Sequence, residues 1–395
     1  MRIVNTLGAF STAFPEIGAS LALIGRQPKS TSGWTEVSGW TELQPSDSGR
    51  FLFGAPLGTK ASRFKIPKSG IYFVSFSIHL FQADIGVFQA ALVINGQPVK
   101  YNRAMSATRQ GYQGADFSLV VSGFVDLRSS DQVSVFVFAE RDTEWSVEDG
   151  SQFCLRYTGA IGTFPAFSAI KSAGTVLYSS SASSSSSSSS SSHIVRNWET
   201  SGTPGVFISL SGFSPSTGEF IPICDGIYFL AANIRVDASL GIYRLSLLVN
   251  GKTHGPFIKI SVTTPNDILS LSYYGSFYFK RGDKIALSIN SSIIHQNSGF
   301  SVSYIDAYNR SSLQGLSTIT QTATEIPGTG WMELTTWSTP SISHVQFYNP
   351  DVFKNGRFRC SDGGTYFVAV SILHWQSGDW ASVFGDTIFG TVCAM

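Results

Sequence analysis

The stretch SGIYFVSFSI, residues 69–78, has close relatives at two other places in the same chain. DGIYFLAANI occupies residues 225–234, and GGTYFVAVSI occupies residues 363–372. All three extend upstream into the pattern F-x5-G-x-Y-F, so four residue types recur three times at one spacing. Such a recurrence indicates three copies of one structural unit. The pattern is formed by Phe64, Gly70, Tyr72 and Phe73, by Phe220, Gly226, Tyr228 and Phe229, and by Phe358, Gly364, Tyr366 and Phe367.

Further landmarks keep the same order within each copy. The strand-like runs ALVINGQ (91–97) and SLLVNGK (246–252) end in Asn-Gly, and GDTIFGT (385–391) is their degraded counterpart in the third copy. Asn-Gly after alternating apolar residues is a strong hairpin signal, because both residues tolerate positive φ. GFVDLRSSDQVSVFVF (123–138) matches GSFYFKRGDKIALSI (275–289), which predicts a strand, a turn at Asp131 or Asp283, and a second strand.

The boundaries of the copies follow from the outer landmarks. GAFSTAF (8–14) parallels PAFSAIK (165–171), and the aromatic strands FCLRY (153–157) and FSVSY (300–304) close the first two copies. The predicted domains are therefore 1–160, 161–308 and 309–395. Short runs rich in β-branched and aromatic residues, separated by Gly, Asn, Ser and Pro, are typical of an all-β sandwich. We predict tandem jelly rolls, with two complete copies and a partial third.

At these residues the chain resembles a known family. PAFSA, then FSPSTGEFIPICDGIYFLAANI (213–234), a turn like L-x-x-G-D-x-V and a closing aromatic strand are similar to the globular head of the C1q/tumour necrosis factor superfamily. The resemblance implies a two-sheet jelly roll, usually trimeric, secreted and non-enzymatic. It also implies that one sheet packs around a threefold axis. We expect core packing, subunit packing or both for Phe136, Phe138, Phe153, Tyr157, Phe300 and Tyr304.

Composition excludes several classes of partner. Charged residues make up 13% of the chain, and the 27 basic and 26 acidic residues leave a net charge of +1. Neither nucleic acid nor an anionic membrane is indicated. No apolar run reaches the length of a spanning helix, and no signal peptide is evident at the start. Catalytic motifs are absent, so no catalytic residue is assigned.

Three groups of residues are candidate sites. The first is the acidic loop, formed by Glu140, Asp142, Glu144, Glu148 and Asp149. Because oxygen ligands suit calcium, this loop is a calcium candidate, although its spacing matches no defined calcium loop. The alternative interpretation is a solvated loop. Arg281-Gly282-Asp283 spells an adhesive tripeptide but also occupies the predicted strand turn. Asn290 and Asn309 begin N-x-S/T sequons, the glycosylation signal of exported chains. No cofactor is otherwise indicated.

The cysteines and a serine tract complete the unusual features. Cys154, Cys224, Cys360 and Cys393 show no metal-binding spacing, and we expect Cys224 and Cys360 to be unpaired and buried. Residues 179–192 hold thirteen serines and Ala182, which predicts a flexible loop in the second domain. Neutral repeat drift in a tolerant loop is one interpretation of this tract. A hydroxyl-rich patch that is modified, or that contacts mineral or polysaccharide, is the functional alternative.

Two functions remain open from the sequence. The first is an extracellular structural protein whose jelly rolls pack through aromatic faces into a trimer-like or filamentous matrix. Its partner is itself, either as a pseudo-trimer of the copies within one chain or as a homo-oligomer or filament of several chains. The alternative is a soluble recognition protein, lectin-like or cytokine-like, that binds a glycan or receptor through its loops. The partial third copy lacks counterparts of 123–138 and of the closing strand. We expect another chain, or a continuation beyond residue 395, to supply them.

Overall fold

The computed structural model describes residues 7–11, 18–23, 25–29, 31–42, 62–82, 86–96, 105–111, 115–142, 144–171, 175–176, 192–238, 241–262, 267–291, 293–306, 315–318, 353–354, 357–358, 364–375 and 383–394. Within these ranges every regular element is a β-strand, and every strand pair is antiparallel. Extended segments rich in aromatic and β-branched residues favour this outcome because their side chains pack well on a pleated surface. The all-β prediction is confirmed.

The first complete copy is a sandwich of two sheets. Its first sheet, called here the axial sheet, has the central order β10-β7-β13-β2-β5, and its second, the outer sheet, has the order β4-β11-β8-β9. The strands are β2 (Gly18–Leu23), β3 (Gln27–Lys29), β4 (Gly33–Glu36), β5 (Trp40–Glu42), β6 (Phe64–Lys65), β7 (Gly70–Gln82), β8 (Gly86–Ile94), β9 (Met105–Gly111), β10 (Ala115–Leu127), β11 (Gln132–Ala139), β12 (Trp145–Val147) and β13 (Gln152–Gly159).

The second copy repeats this layout. Its axial sheet has the central order β23-β20-β26-β14-β17, and its outer sheet has the order β18-β19-β24-β21-β22. The strands are β14 (Ala166–Ile170), β15 (Thr175–Val176), β16 (His193–Ile194), β17 (Phe207–Ser209), β18 (Gly212–Ser214), β19 (Glu219–Ile221), β20 (Gly226–Ala238), β21 (Gly241–Val249), β22 (Lys252–Val262), β23 (Asp267–Phe279), β24 (Ile285–Ile289), β25 (Ile293–Ile294) and β26 (Gly299–Asp306).

The third copy contributes an axial sheet of different origin. Its strands are β27 (Gly315–Thr318), β28 (Phe353–Lys354), β29 (Arg357–Phe358), β30 (Gly364–Trp375) and β31 (Val383–Ala394). The sheet has the order β27-β1-β30-β31, and β1 (Leu7–Ser11) comes from the opposite end of the sequence. In this sheet β1 takes the place that β13 and β26 take in the other copies, between the repeat strand and the opening strand.

Two assignments made from the sequence are wrong. Gly8–Ser11 does not open the first copy, because that position belongs to β2, which pairs with β13. GDTIFGT is not the counterpart of the Asn-Gly strands, because Val368 pairs with Gly390 as Leu230 pairs with Gly275. Residues 390–394 therefore correspond to 275–279 and 123–127, so the third copy has part of the segment that it was expected to lack.

The repeated glycine is explained by a close approach of two backbones. A Cβ atom at Gly70 would lie 2.5 Å from the carbonyl oxygen of Gly159, a distance that no side chain tolerates. The ladder between β7 and β13 is irregular at this point, between Tyr157 and Gly159. Only glycine permits the two strands to meet there.

The repeated Asn-Gly and Asp landmarks are parts of one hydrogen-bonded unit. Asn95 and Asn250 have φ of 59° and 52°, as the Asn-Gly turn requires. The Nδ2 atom of Asn250 donates to Oδ1 of Asp283 at 2.9 Å, and its Oδ1 accepts from the Lys284 N–H at 2.9 Å. Asn95 makes the same two bonds, with Asp131 and the Gln132 N–H. The two turns therefore hold each other at one end of the outer sheet.

This unit generates the first prediction. We expect Asn250→Ala to lower the free energy of unfolding by about 1–2 kcal/mol. Two hydrogen bonds are lost, and Ala tolerates a positive φ less well than Asn does. Asn250→Gly is the matched control, since it loses the same bonds without backbone strain, and we expect a smaller loss. Urea unfolding measures both variants. Equal stability of the parent and Asn250→Ala would contradict the assignment.

Candidate assembly interface

The repeated Tyr lies inside each sandwich. Tyr72 and Tyr228 are fully buried in the separate cores of the first and second copies. Their hydroxyls donate to the carbonyl oxygens of the residues four positions earlier, Lys68 at 2.6 Å and Cys224 at 2.9 Å. Burial raises the pKa of Tyr72 to about 12 and raises that of Tyr228 further. These tyrosines hold the start of each repeat strand in place.

The repeated Phe lies on the opposite face of the same strand, because side chains alternate along a strand. Phe73 and Phe229 do not enter either sandwich core but meet each other, with ring centroids 5.3 Å apart and planes at 85°. Phe124 completes this aromatic cluster, 5.4 Å from Phe73 and 5.9 Å from Phe229. Edge-to-face contacts at such distances are favourable beyond the burial of apolar area. The repeat therefore contains one core residue and one interface residue.

Further buried residues from both copies surround this cluster. The remaining buried members are Ile71 and Val120 from the first copy and Ala166, Phe207, Ala231 and Tyr274 from the second. Phe229 is 1% exposed and Phe124 is 3% exposed, so the contact excludes water as a protein core does.

Hydrogen bonds cross between the two copies beside the cluster. The backbone N–H of Phe124 donates to Ser301 Oγ at 3.1 Å, and that of Asp126 donates to the Gly205 carbonyl at 3.2 Å. Tyr274 donates to Oδ1 of Asn233, whose Nδ2 lies 3.4 Å from the carbonyl oxygen of Ser122. Polar groups buried at the contact are thus paired, which fixes the register of one copy on the other.

The contacts between the three axial sheets run in one direction around a ring. Strand β10 of the first copy lies against β20 and β26 of the second, and β23 of the second lies against β1 in the third sheet. Strand β31 of the third copy lies in turn against β7 and β13 of the first. Equivalent strands meet at each junction, so the arrangement has pseudo-threefold character.

The residue of the third copy that corresponds to Phe73 and Phe229 is identified from strand register. Phe367 pairs with Phe10 as Phe229 pairs with Ser303 and as Phe73 pairs with Arg156. Phe367 thus has the register position of the two interface phenylalanines, and Tyr366 has that of the two core tyrosines. Gly364 begins β30 as Gly70 and Gly226 begin their strands.

The other phenylalanine of the repeat belongs to the cores. Phe64 and Phe220 are buried in the first and second sandwiches. Phe358 pairs with Phe353 in a hairpin, as Phe220 pairs with Phe213. Core packing of the closing-strand aromatics is confirmed, since Phe153, Tyr157 and Phe300 fill their own cores and Tyr304 packs against one. None of the four belongs to the buried cluster between the copies. Phe136 and Phe138 lie on β11, in the outer sheet.

The acidic loop does not bring its carboxylates together. Glu140 accepts from the Val87 N–H, Asp142 accepts from the Ser32 N–H, and Glu148 pairs with Arg26 at 3.0 Å. The Ser32 bond lowers the pKa of Asp142. Glu144 and Asp149 are exposed. Within the described ranges, no three His, Cys, Asp or Glu side chains converge on a position where a metal ion could bind.

The adhesive tripeptide is engaged in the turn. Both carboxylate oxygens of Asp283 accept hydrogen bonds, from Asn250 Nδ2 and from the Lys280 N–H at 2.8 Å. Gly282 has φ of 86°, which a turn requires. Asp131 accepts the equivalent bonds in the first copy, where no Arg-Gly precedes it. Strand reversal therefore accounts for Gly282 and Asp283 without adhesion.

The remaining predicted positions have mixed outcomes. Asn290 is held at both ends, since Oδ1 accepts from the Arg244 N–H and Nδ2 donates to the Ile242 carbonyl at 2.8 Å. Asn309, Cys360 and residues 179–191 of the serine tract lie outside the described residues. Cys224 is unpaired as expected but half-buried rather than buried, and its sulfur lies 3.3 Å from the Tyr228 hydroxyl.

Comparisons with known proteins find a likeness to solved structures. The chain is similar to the solved structure of the TNF protein Eiger from S. frugiperda, with 15% sequence identity and a TM-score of 0.31. The match covers 37% of this chain and 95% of that one. No family model matches the sequence. No curated protein matches it. Across the described residues there is no helix with the length and apolar character needed to span a membrane.

Sequence reasoning missed most of the interface. Phe124, Asn233, Tyr274 and Ser301 are not repeated between copies, so repetition did not reveal them. The available signal was the alternation of the repeat strand, because Phe73 and Phe229 follow a core residue directly and must face the other way.

The interface generates the second prediction. We expect Phe229→Ala, a change in the second copy, to accelerate hydrogen exchange at the Phe124 and Asp126 amides of the first copy by about tenfold or more. These two amides donate across the contact, and a tenfold change corresponds to about 1.4 kcal/mol.

Phe220→Ala is the matched control, because Phe220 is an equally buried Phe in the core of the second copy. It should destabilise that copy by about 3–5 kcal/mol without selectively exposing the two amides. Exchange measured residue by residue distinguishes the cases. If Phe229→Ala left both amides as protected as in the parent, the contact between the copies would be refuted.

Proposed function

We propose that this protein is a non-enzymatic structural protein of the extracellular TNF/C1q kind, in which one chain supplies all three units of a trimer-like building block. The observation that carries this proposal is the buried cluster of Phe73, Phe124 and Phe229 between two jelly rolls. Contacts between separate domains of one chain are usually looser and more polar. A closely packed aromatic contact with paired polar groups instead favours permanent assembly.

The shifted titratable groups support a structural role. Tyr72, Tyr228 and Tyr274 have raised pKa values because they are buried, and their hydroxyls donate to carbonyl or amide oxygens. Burial lowers the pKa of Lys171, although Glu199 opposes that shift. The Nζ atom of Lys171 donates to the carbonyl oxygens of Arg196 and Asn197, both at 2.7 Å. Each of these groups holds backbone or another buried group in place.

The position of the aromatic cluster refines the proposal. At this cluster the aromatic faces are used between copies of one chain. Among the side chains whose burial the structure describes, the large exposed hydrophobic ones are aliphatic: Ile161, Ile208, Leu210, Ile221, Ile223 and Ile242. Growth into a matrix must therefore use another link between chains. Mineral or polysaccharide contact through the serine tract remains part of the proposal.

A soluble recognition protein is the second candidate. It is favoured by the same internal use of the aromatic faces, because a chain that satisfies its own threefold contacts can remain a discrete particle. Loops at the ends of the sandwiches would then bind a glycan or receptor, as loops on rigid scaffolds commonly do.

Particle size as a function of concentration separates the two candidates and is the third prediction. We expect sedimentation velocity to show a compact particle of one 42.7 kDa chain when dilute, and species of several chains as concentration rises. Phe229→Ala should sediment as a less compact particle on average, because the contact between the first two copies is weakened. A compact single chain at every concentration would contradict the structural function and favour recognition.

A further inference from the structure

Strand β1 joins the beginning of the described chain to the sheet of the third copy. It lies between β27 and β30, with Phe10 opposite both Gly315 and Phe367 and with Leu7 opposite both Thr318 and Val370. Both of its edges therefore form antiparallel ladders, while more than 300 residues of sequence separate it from either neighbour. No other contact between the beginning and the end of the described chain has this regularity.

Strand β1 is equivalent in place and connection to the closing strands of the complete copies. Strand β13 pairs with β7 and β2, and β26 pairs with β20 and β14, just as β1 pairs with β30 and β27. Residues 12–17 join β1 to β2, and residues 160–165 join β13 to β14, so the two connections have equal length. The third copy is thus completed by a strand that leads directly into the first.

We propose that β1 also adds to the third-copy sheet of a second copy of this chain, and that this exchange links chains head to tail. This inference rests on the proposed structural function and names the link between chains. The exchanged strand would form the same two ladders with the same register, so no backbone hydrogen bond is lost. Addition of an extended segment to a sheet is an established mode of protein association.

Concentration decides which partner β1 takes. A covalent link between two contacting elements gives an effective concentration in the millimolar range, so we expect a dilute chain to close on itself. At higher chain concentration the second copy competes for the same place. The contact is heterologous, since β1 and the cleft between β27 and β30 are different surfaces, and heterologous contacts form closed rings or filaments.

A second copy of this chain is the occupant that the structure favours. The cleft between β27 and β30 matches the length and register of Leu7–Ser11, a segment without a charged residue. Because only six residues separate β1 from β2, an exchanged β1 places the first copy of its own chain beside the acceptor. Strands β7 and β13 of that copy can then contact β31 of the acceptor. The exchanged strand and the ring contact next to it therefore form together.

A split cysteine pair tests the exchange in the full-length chain. Ala9 and Val368 are register partners, so Ala9→Cys is placed on isotope-labelled chains and Val368→Cys on unlabelled chains. A disulfide between these two positions then forms only between different chains. Gly8→Cys with Ala369→Cys is tested in parallel, because antiparallel partners alternate in geometry and one type accepts a disulfide more readily.

We expect the split pair to cross-link increasingly as the chains are concentrated, and peptide mapping to identify residues 9 and 368. The control pairs Ala9→Cys with Ser371→Cys, three positions out of register, and should cross-link at least tenfold less. The four natural cysteines contribute equally to both mixtures. A split pair that never cross-links above this control would overturn the proposal.

The double variant Ala9→Cys/Val368→Cys separates failure of the exchange from failure of the proposed function. Oxidised when dilute, it should close within one chain, and the locked chains should then remain single when concentrated, while reduced chains associate. Locked chains that associate as readily as reduced ones would overturn the exchange and leave the structural function standing. If reduced and parent chains both stay single and the split pair is silent, both proposals are wrong.

Discussion

The alternation of side chains along the repeat strand is the constraint on which the rest of the structure depends. In G-x-Y-F the Tyr enters its own sandwich and the next residue faces the neighbouring copy, because successive side chains point to opposite sides of a sheet. Tyr72 and Tyr228 each close a core, whereas Phe73 and Phe229 build the contact between cores. One short motif therefore determines both the fold of a unit and the surface through which units associate.

Association within one chain changes what the surfaces are available to do. A trimer of separate chains presents identical copies, whereas here the copies differ, and the third completes its sheet with a strand from the start of the described chain. Interface residues such as Phe124, Ser301 and Tyr274 are not repeated in the other copies. A chain that carries three copies can place different residues at each junction.

The paired turns show how a functional motif can be mistaken in a sequence. Arg281-Gly282-Asp283 has the letters of an adhesive site, yet both oxygens of Asp283 are engaged by Asn250 and the Lys280 N–H. Asp131 has the same bonds without the preceding Arg-Gly. A carboxylate that must give up two hydrogen bonds to reach a partner is a poor ligand. The acidic loop follows the same logic, since Asp142 and Glu148 are paired within the protein.

The sequence by itself determined the local features: a pattern repeated three times, the all-β class, the Asn-Gly turns, and the Tyr and the first Phe of the repeat as core residues of the first two copies. These follow from short spacings and from the period of two, which repeat whether or not the copies touch. Only the tertiary structure decided that Leu7–Ser11 belongs to the third sheet, that 390–394 corresponds to 275–279, and that Phe124 meets Phe229. Strand pairing across hundreds of residues is set by which edges remain open after local folding. A five-residue strand without a repeated motif carries too little pattern to reveal that choice.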